Sequence, residues 1–332
     1  MNLRPWITAL LAGIGMTAPL AVRGEDAPVV VQIVDALQAH YGVHPGYRAN
    51  HAKGIVLTGT FEASGAGTSL TSSPLYASGA THPVIVRFSD TGGMPQVADA
   101  SPDANPHGMA IKFELPGGAE TDIVVNALKF FPVATAEDFR DLQLAAAQSP
   151  PGTAQPTKLE AFLRAHPRVA QANATLGVPD SFAHEVFYGI NAFVFSDAVG
   201  HKQAFRYVIE PARVVHLRPE QAVAQTPNFL FDELPGRLMR GPVVFHIKAQ
   251  LAEPGDPTND ATQPWPDSRA VVDLGTLTLD KLVQDSAAEQ KKLLFLPGRL
   301  TAGIEPSDDP LLGALDGAYA VSFSRRNSPP QR

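Results

Sequence analysis

Four kinds of side chain in this sequence could do chemistry together. His51 lies within Arg48-Ala49-Asn50-His51-Ala52-Lys53-Gly54, and an imidazole can carry a proton between two atoms near neutral pH. Arg48, Arg87 and Arg326 are permanent cations whose planar donors suit carboxylates. Arg87 and Ser89 are two residues apart in an apolar run, as are Val124 and Asn126, and such pairs share one face of a strand. Tyr319 and Arg326 lie seven residues apart near the C-terminus. Taken singly, each has an ordinary explanation. His51 would cap or cross a strand start, Arg87 and Ser89 would be strand residues, Asn126 would mark an edge or turn, and Phe139 would be core.

The elements that must position them are legible in the spacing. Ile33, Leu37 and Tyr41 recur four apart and predict a helix over Val29 to Tyr41. Gly54 to Phe61, Val84 to Ser89, Gly108 to Leu115 and Asp122 to Leu128 read as strands, separated by Gly, Pro, Asn and Asp. Thr135 and Asp138 resemble a capping box that opens a helix through Phe139 and Leu142, and Lys158 to Leu176 is a second helical run. Glu185 to Ser196 and Gln203 to Glu210 form a hairpin around Val199-Gly200, and Val243 to Leu251 and Val271 to Leu279 are two further strands. Many short strands with few helices favour an α+β fold, an antiparallel barrel with attached helices, over a parallel doubly wound sheet.

Arg4, the apolar run Trp6 to Val22 and the small residues near Gly24 have the layout of a secretory signal peptide over 1–24. An uncleaved anchor is the alternative. One domain is expected over 25–326, followed by a frayed tail over 327–332. The net charge of −7 includes Arg4 and Arg23, so it is more negative without the leader. That disfavours a nucleic-acid partner. The absence of cysteine excludes disulfides, thiolate metal ligands and a Cys-x-x-Cys-His attachment. An axial ligand to any haem iron would have to be His, Tyr or Met.

Four ordered segments resemble the catalase family. They are the Arg48 to Gly54 run followed by Gly59-Thr60-Phe61, Val86-Arg87-Phe88-Ser89 with the later Gly108-Met109-Ala110-Ile111-Lys112-Phe113, Asp122-Ile123-Val124-Val125-Asn126 followed by Phe130-Phe131, and Gly303-Ile304-Glu305-Pro306-Ser307 with Tyr319 beyond it. Gly189 to Phe193 and Trp265-Pro266 also match, so the likeness runs from about Asp26 to Arg326.

The resemblance implies haem b held between a barrel and helices. It makes Tyr319 the iron ligand, with Arg48, Arg87 and Arg326 on the propionates and Phe139 against the ring. It gives His51 the role of distal base, oriented by Ser89, with Asn126 donating to peroxide. The expected activity is reduction of hydrogen peroxide or organic hydroperoxides with external electron donors, by a periplasmic or secreted protein, compatible with a homodimer and free of the membrane once the signal is cleaved. A true catalase, an allene oxide synthase-like enzyme and a non-enzymatic haem-binding protein are the alternatives. Departures from the pattern are Leu315 where an arginine is usual, Asn50 before the histidine, Ala127-Leu128-Lys129 after Asn126, and His107 and Met109 in place of Arg and Phe.

Overall fold

A computed structural model describes residues 27–328, so the expected leader and the last four residues of the expected tail lie outside the described residues. Helix α1 (Val29–Tyr41) buries Ile33, Val34 and Leu37 on the stripe that the four-residue spacing predicts. Four antiparallel strands follow: β1 (Gly54–Ala63), β2 (Thr81–Ser89), β3 (Gly108–Glu114) and β4 (Glu120–Asn126). Thr135 caps α2 (Ala136–Ala147) by accepting from the Asp138 N–H at 3.1 Å.

The second predicted helix is two, α3 (Lys158–Ala165) and α4 (Pro167–Asn173), because a proline inside a helix removes a donor and starts a new first turn. The Glu185 to Ser196 segment is likewise two short strands, β5 (Phe187–Tyr188) and β6 (Phe193–Ser196). The rest of the chain runs β7 (Lys202–Pro211), α5 (Pro219–Val223), α6 (Phe229–Arg240), β8 (Val243–Leu251), β9 (Val271–Leu282), α7 (Ser286–Lys292), β10 (Ile304–Pro306) and α8 (Pro310–Asn327). Residue 327, expected as the first of the tail, is helical instead. Asn327 is the last residue of α8, and its amide donates to the carbonyls of Phe323 and Lys291.

The sheet order is β10-β6-β7-β5-β4-β3-β2-β1-β9-β8, and a further β7–β8 pairing closes it into an eight-stranded barrel of the α+β class. Alternation decides what fills it. Leu57 and Phe61 from β1, Val86 and Phe88 from β2, and Ile111 and Phe113 from β3 point inward and pack with Phe182, Phe187, Phe205 and Phe245. Phe195 and Phe205 stack at 3.5 Å between ring centroids. The barrel is thus a packed core rather than a container, and truncating one of these rings to Ala would cost about 3–5 kcal/mol.

The opposite face of the same strands carries Arg87, Ser89, Ala110, Val124 and Asn126, and it is covered from outside by α1, α2 and α8. The residues that could do chemistry therefore lie between barrel and helices. Among the described residues no helix is long and apolar enough to cross a membrane.

Candidate active site

Strand register assembles the first half of the site. Gly54 pairs with Ser89, Ser89 with Gly108, and Gly108 with Asn126, so one row crosses four strands at the same end of the barrel. His51 leans onto this row, its Nδ1 3.1 Å from Ser89 Oγ. A Cβ on Gly108 would sit 3.0 Å from both the His51 Cε1 and the Ser89 Oγ, so glycine there lets the imidazole lie against the strand.

His51 is the one non-glycine residue with positive φ (55°) among the described residues. That conformation costs of order 1–3 kcal/mol. It turns the His51 carbonyl onto Arg87 Nη2 at 2.8 Å, a charge-assisted bond that offsets part of the strain. Asn126 Oδ1 accepts from the Leu128 N–H at 2.8 Å, which ends β4 two residues before the expected Leu128. Its Nδ2 is left to donate.

Just behind this row is a buried charged cluster. His107 Nδ1 lies 3.1 Å from Asp90 Oδ1, and Lys53 Nζ reaches Asp99, the Val97 carbonyl at 2.8 Å and Asp90 at 3.5 Å. Its members neighbour Ser89, Gly108 and His51 in the chain and tie the strand ends together.

The three arginines converge. Arg48 Nη2 and Arg326 Nη2 both donate to the Leu293 carbonyl, at 2.9 and 2.6 Å, while Arg87 Nε donates to Gln290 Oε1 at 2.8 Å. None of the three has a carboxylate within ion-pair distance among the described residues, and the buried Arg326 Nε has no hydrogen-bond partner. Burial, followed by mutual repulsion with Arg326, lowers Arg87 to about 9, and burial lowers Arg326 to about 10. Three desolvated cations so placed call for anionic oxygens from a ligand. Gly54 is needed here because a Cβ would lie 2.1 Å from Arg87 Nη2. Gly54→Ala is expected to displace Arg87 and cost about 1–3 kcal/mol in urea unfolding; an unchanged midpoint would show that the guanidinium has room to move.

Burial, then the charges of Arg87 and Arg48, lower the His51 pKa to about 3. The ring is therefore neutral throughout the physiological range, with its Nε2 lone pair free of any partner among the described residues. A depressed histidine penalises the folded state only below the unfolded pKa of about 6.5, and the penalty grows as pH falls toward the folded value. In the protein without added ligand, His51 is expected to stay neutral from pH 7 down past 5, and a protonation midpoint near 6.5 in an NMR titration of this ring would contradict this.

Tyr319 approaches from α8. Burial and the nearby Asp316 carboxylate push its phenol up to about 12. Leu315, one turn earlier, lines the same cavity and offers no charge. Asp316 itself accepts from the Gly298 N–H at 3.1 Å. Phe139 also faces the cavity, packed against Phe131 with centroids 5.6 Å apart.

The space enclosed by His51, Asn126, Phe139, Tyr319 and the three arginines is a cavity of about 430 Å³. Every residue singled out from the sequence faces it. Three contributors were not: Gln290 on α7, the Leu293 carbonyl in the loop after it, and a His40–Gln143 pair joining α1 to α2. The α7 region carries no periodic apolar pattern, and a main-chain carbonyl leaves no mark in a sequence.

The catalase family profile matches residues 31–328. A catalase-related peroxidase of Mycolicibacterium paratuberculosis is 36% identical over 300 residues, covering 89% of this chain and 94% of that protein. One from Synechococcus elongatus is 32% identical over 328 residues, covering 97% and 96%. The crystal structure of a fungal catalase superposes with a TM-score of 0.77 at 20% identity, over 98% of this chain and 67% of that one. A superposable fold, a shared profile over nearly all the described residues and relatives of matching length lead to one conclusion: this chain is a member of the catalase family.

Proposed function

We propose that this protein is a haem b peroxidase that reduces hydrogen peroxide or organic hydroperoxides at the expense of external electron donors. The observation that carries the reading is the trio of buried Arg87 and Arg326 and half-buried Arg48, without carboxylate partners among the described residues, on the cavity that also holds His51 and Tyr319. Haem fits this donor set. Its propionates would satisfy the guanidiniums, including the orphaned Arg326 Nε, Phe139 and the aliphatic walls would meet its faces, and Tyr319 would ligate the iron. The bound haem would supply the redox centre that takes oxygen from peroxide.

The chain's own part is proton handling. Ser89 Oγ accepts from His51 Nδ1–H, which leaves Nε2 as the base. That nitrogen can take the proton from the near peroxide oxygen and return it to the departing one, the transfer that heterolysis requires. Asn126 Nδ2 can donate to the peroxide, its amide oriented by the bond to Leu128. Carboxylates bound by Arg48 and Arg87 would also offset the charges that depress His51, so occupancy of the site would strengthen the base.

The superposition takes in 67% of the fungal catalase. The cavity of about 430 Å³ has largely apolar walls, including Leu37, Leu142, Leu163 and Phe131, which suit organic hydroperoxides and aromatic reductants. Donor oxidation by the haem-loaded protein with little oxygen release tests the reading, and vigorous oxygen release without donor consumption would make it a true catalase. The relatives' designation as catalase-related peroxidases supports the first outcome. Export to the periplasm or medium belongs to the same proposal. The mature protein is expected to start between about Ala21 and Ala27 by mass spectrometry, with Met1 retention as the opposing result.

A further inference from the structure

The cavity contains a second histidine that the chemistry above does not use. His40, in the last turn of α1, has its Nδ1 2.9 Å from Gln143 Oε1 on α2. Both residues line the cavity. The amide oxygen can only accept, so Nδ1 carries the proton and Nε2 keeps its lone pair. Neither His40 Nε2 nor Gln143 Nε2 has a partner among the described residues, so the pair presents one acceptor and one donor. Around it are aromatic and apolar surfaces: Tyr41 stacks on the His40 ring with centroids 4.0 Å apart, and Leu37 and Leu142 line the same wall.

Two polar pairs therefore share one cavity. His51 and Asn126 stand on the barrel side, His40 and Gln143 on the helical side. A peroxidase handles two kinds of substrate in turn, and the barrel-side pair is committed to peroxide. We propose that His40 and Gln143 form the binding site for the electron donor, and that the donor is a phenol. The phenolic O–H would donate to His40 Nε2, whose lone pair Gln143 fixes by holding the proton on Nδ1, and the ring of the phenol would lie on the apolar wall.

The chemistry balances. Each phenol gives its electron to the peroxide-oxidised enzyme and its proton to His40 Nε2, leaving an aryloxyl radical. Two phenols reduce one hydroperoxide to an alcohol and water, and the two protons are those that the water-forming step consumes. This inference rests on the peroxidase reading, and its test separates the two.

The haem-loaded protein is first reacted with a hydroperoxide and then mixed with guaiacol or with ferrocyanide, a donor that has no proton to give. The expected result for His40→Phe is at least a tenfold slower reaction with guaiacol, with the peroxide step and the ferrocyanide step unchanged. His40→Gln, which keeps an acceptor, should recover part of the guaiacol rate. Calorimetric titration of the resting haem-loaded protein supplies a readout independent of turnover. Phenol is expected to bind more tightly than anisole, and His40→Phe should abolish that preference. Equal guaiacol rates in parent and His40→Phe, or equal binding of phenol and anisole by the parent, would overturn the donor site. Failure of the parent to oxidise either donor would instead overturn the peroxidase reading.

Discussion

Replacement of His51 by Ala is expected to slow the first spectral change on mixing haem-loaded protein with a hydroperoxide by at least about 100-fold. On the barrel side of the cavity the ring is the base placed for the transfer: its Nδ1 is committed to Ser89 at 3.1 Å, and its Nε2 has no partner among the described residues. Positioned general bases contribute typically 10²–10⁴-fold, or roughly 3–5 kcal/mol of barrier. Haem affinity should be little changed, because the arginines, Phe139 and Tyr319 are untouched. The backbone should be little affected, since Ala keeps both the Cβ that makes a positive φ costly and the carbonyl that meets Arg87. Asn126→Ala should be intermediate, because it deletes one donor to the peroxide and also frees the Leu128 N–H. Stopped-flow spectra at matched haem content measure both. A His51→Ala protein reacting at the parental rate would remove His51 from the mechanism.

How much of this could be read in the chain depends on what kind of contact each residue makes. Alternation placed Arg87 with Ser89 and Val124 with Asn126, and both pairs do share the face turned to the cavity. What alternation cannot give is register between strands. The row Gly54, Ser89, Gly108 and Asn126 exists because four strands are aligned to the residue, and a slip of one would send every member into the barrel core.

The side of the barrel that holds the site was legible only through the family likeness. Both faces of β2 are rich in buried residues, inward Val84, Val86 and Phe88 and outward Arg87 and Ser89. Helix breaks at Pro167 and the division of β5 from β6 were local features that a run of apolar residues conceals. The Leu293 carbonyl holds two arginines by backbone chemistry common to every residue, and Gln290 reaches Arg87 from more than two hundred positions away. His40 was hidden for another reason. It continues the apolar stripe of α1, and only its contact with α2 distinguishes it from a helix-terminal histidine.

Tyr319→Phe is expected to abolish the anionic proximal ligand and, with it, either haem retention or the spectrum of a five-coordinate high-spin ferric phenolate complex. The size of the effect follows from how little the protein does to ionise this phenol. Burial and Asp316 push it up to about 12, and the usual arginine one turn earlier is Leu315. Arg299 sits by Asp316 and pairs with Glu120 and Asp122 instead. If Tyr319 holds haem iron as proposed, the positive charge needed to make a phenolate would come from the ferric ion, whose field can remove a ligand proton outright. Without haem, Tyr319 should stay protonated up to about pH 12, whereas on loading with ferric haem it should ionise at neutral pH and release a proton that can be counted by titration. Leu315→Arg should lower the phenol pKa in the haem-free protein by placing a cation on the same helical face. Ultraviolet titration of the haem-free forms and visible spectra of the loaded ones decide the matter. A Tyr319→Phe protein that keeps both its haem and its parental spectrum would show that iron is held by another residue.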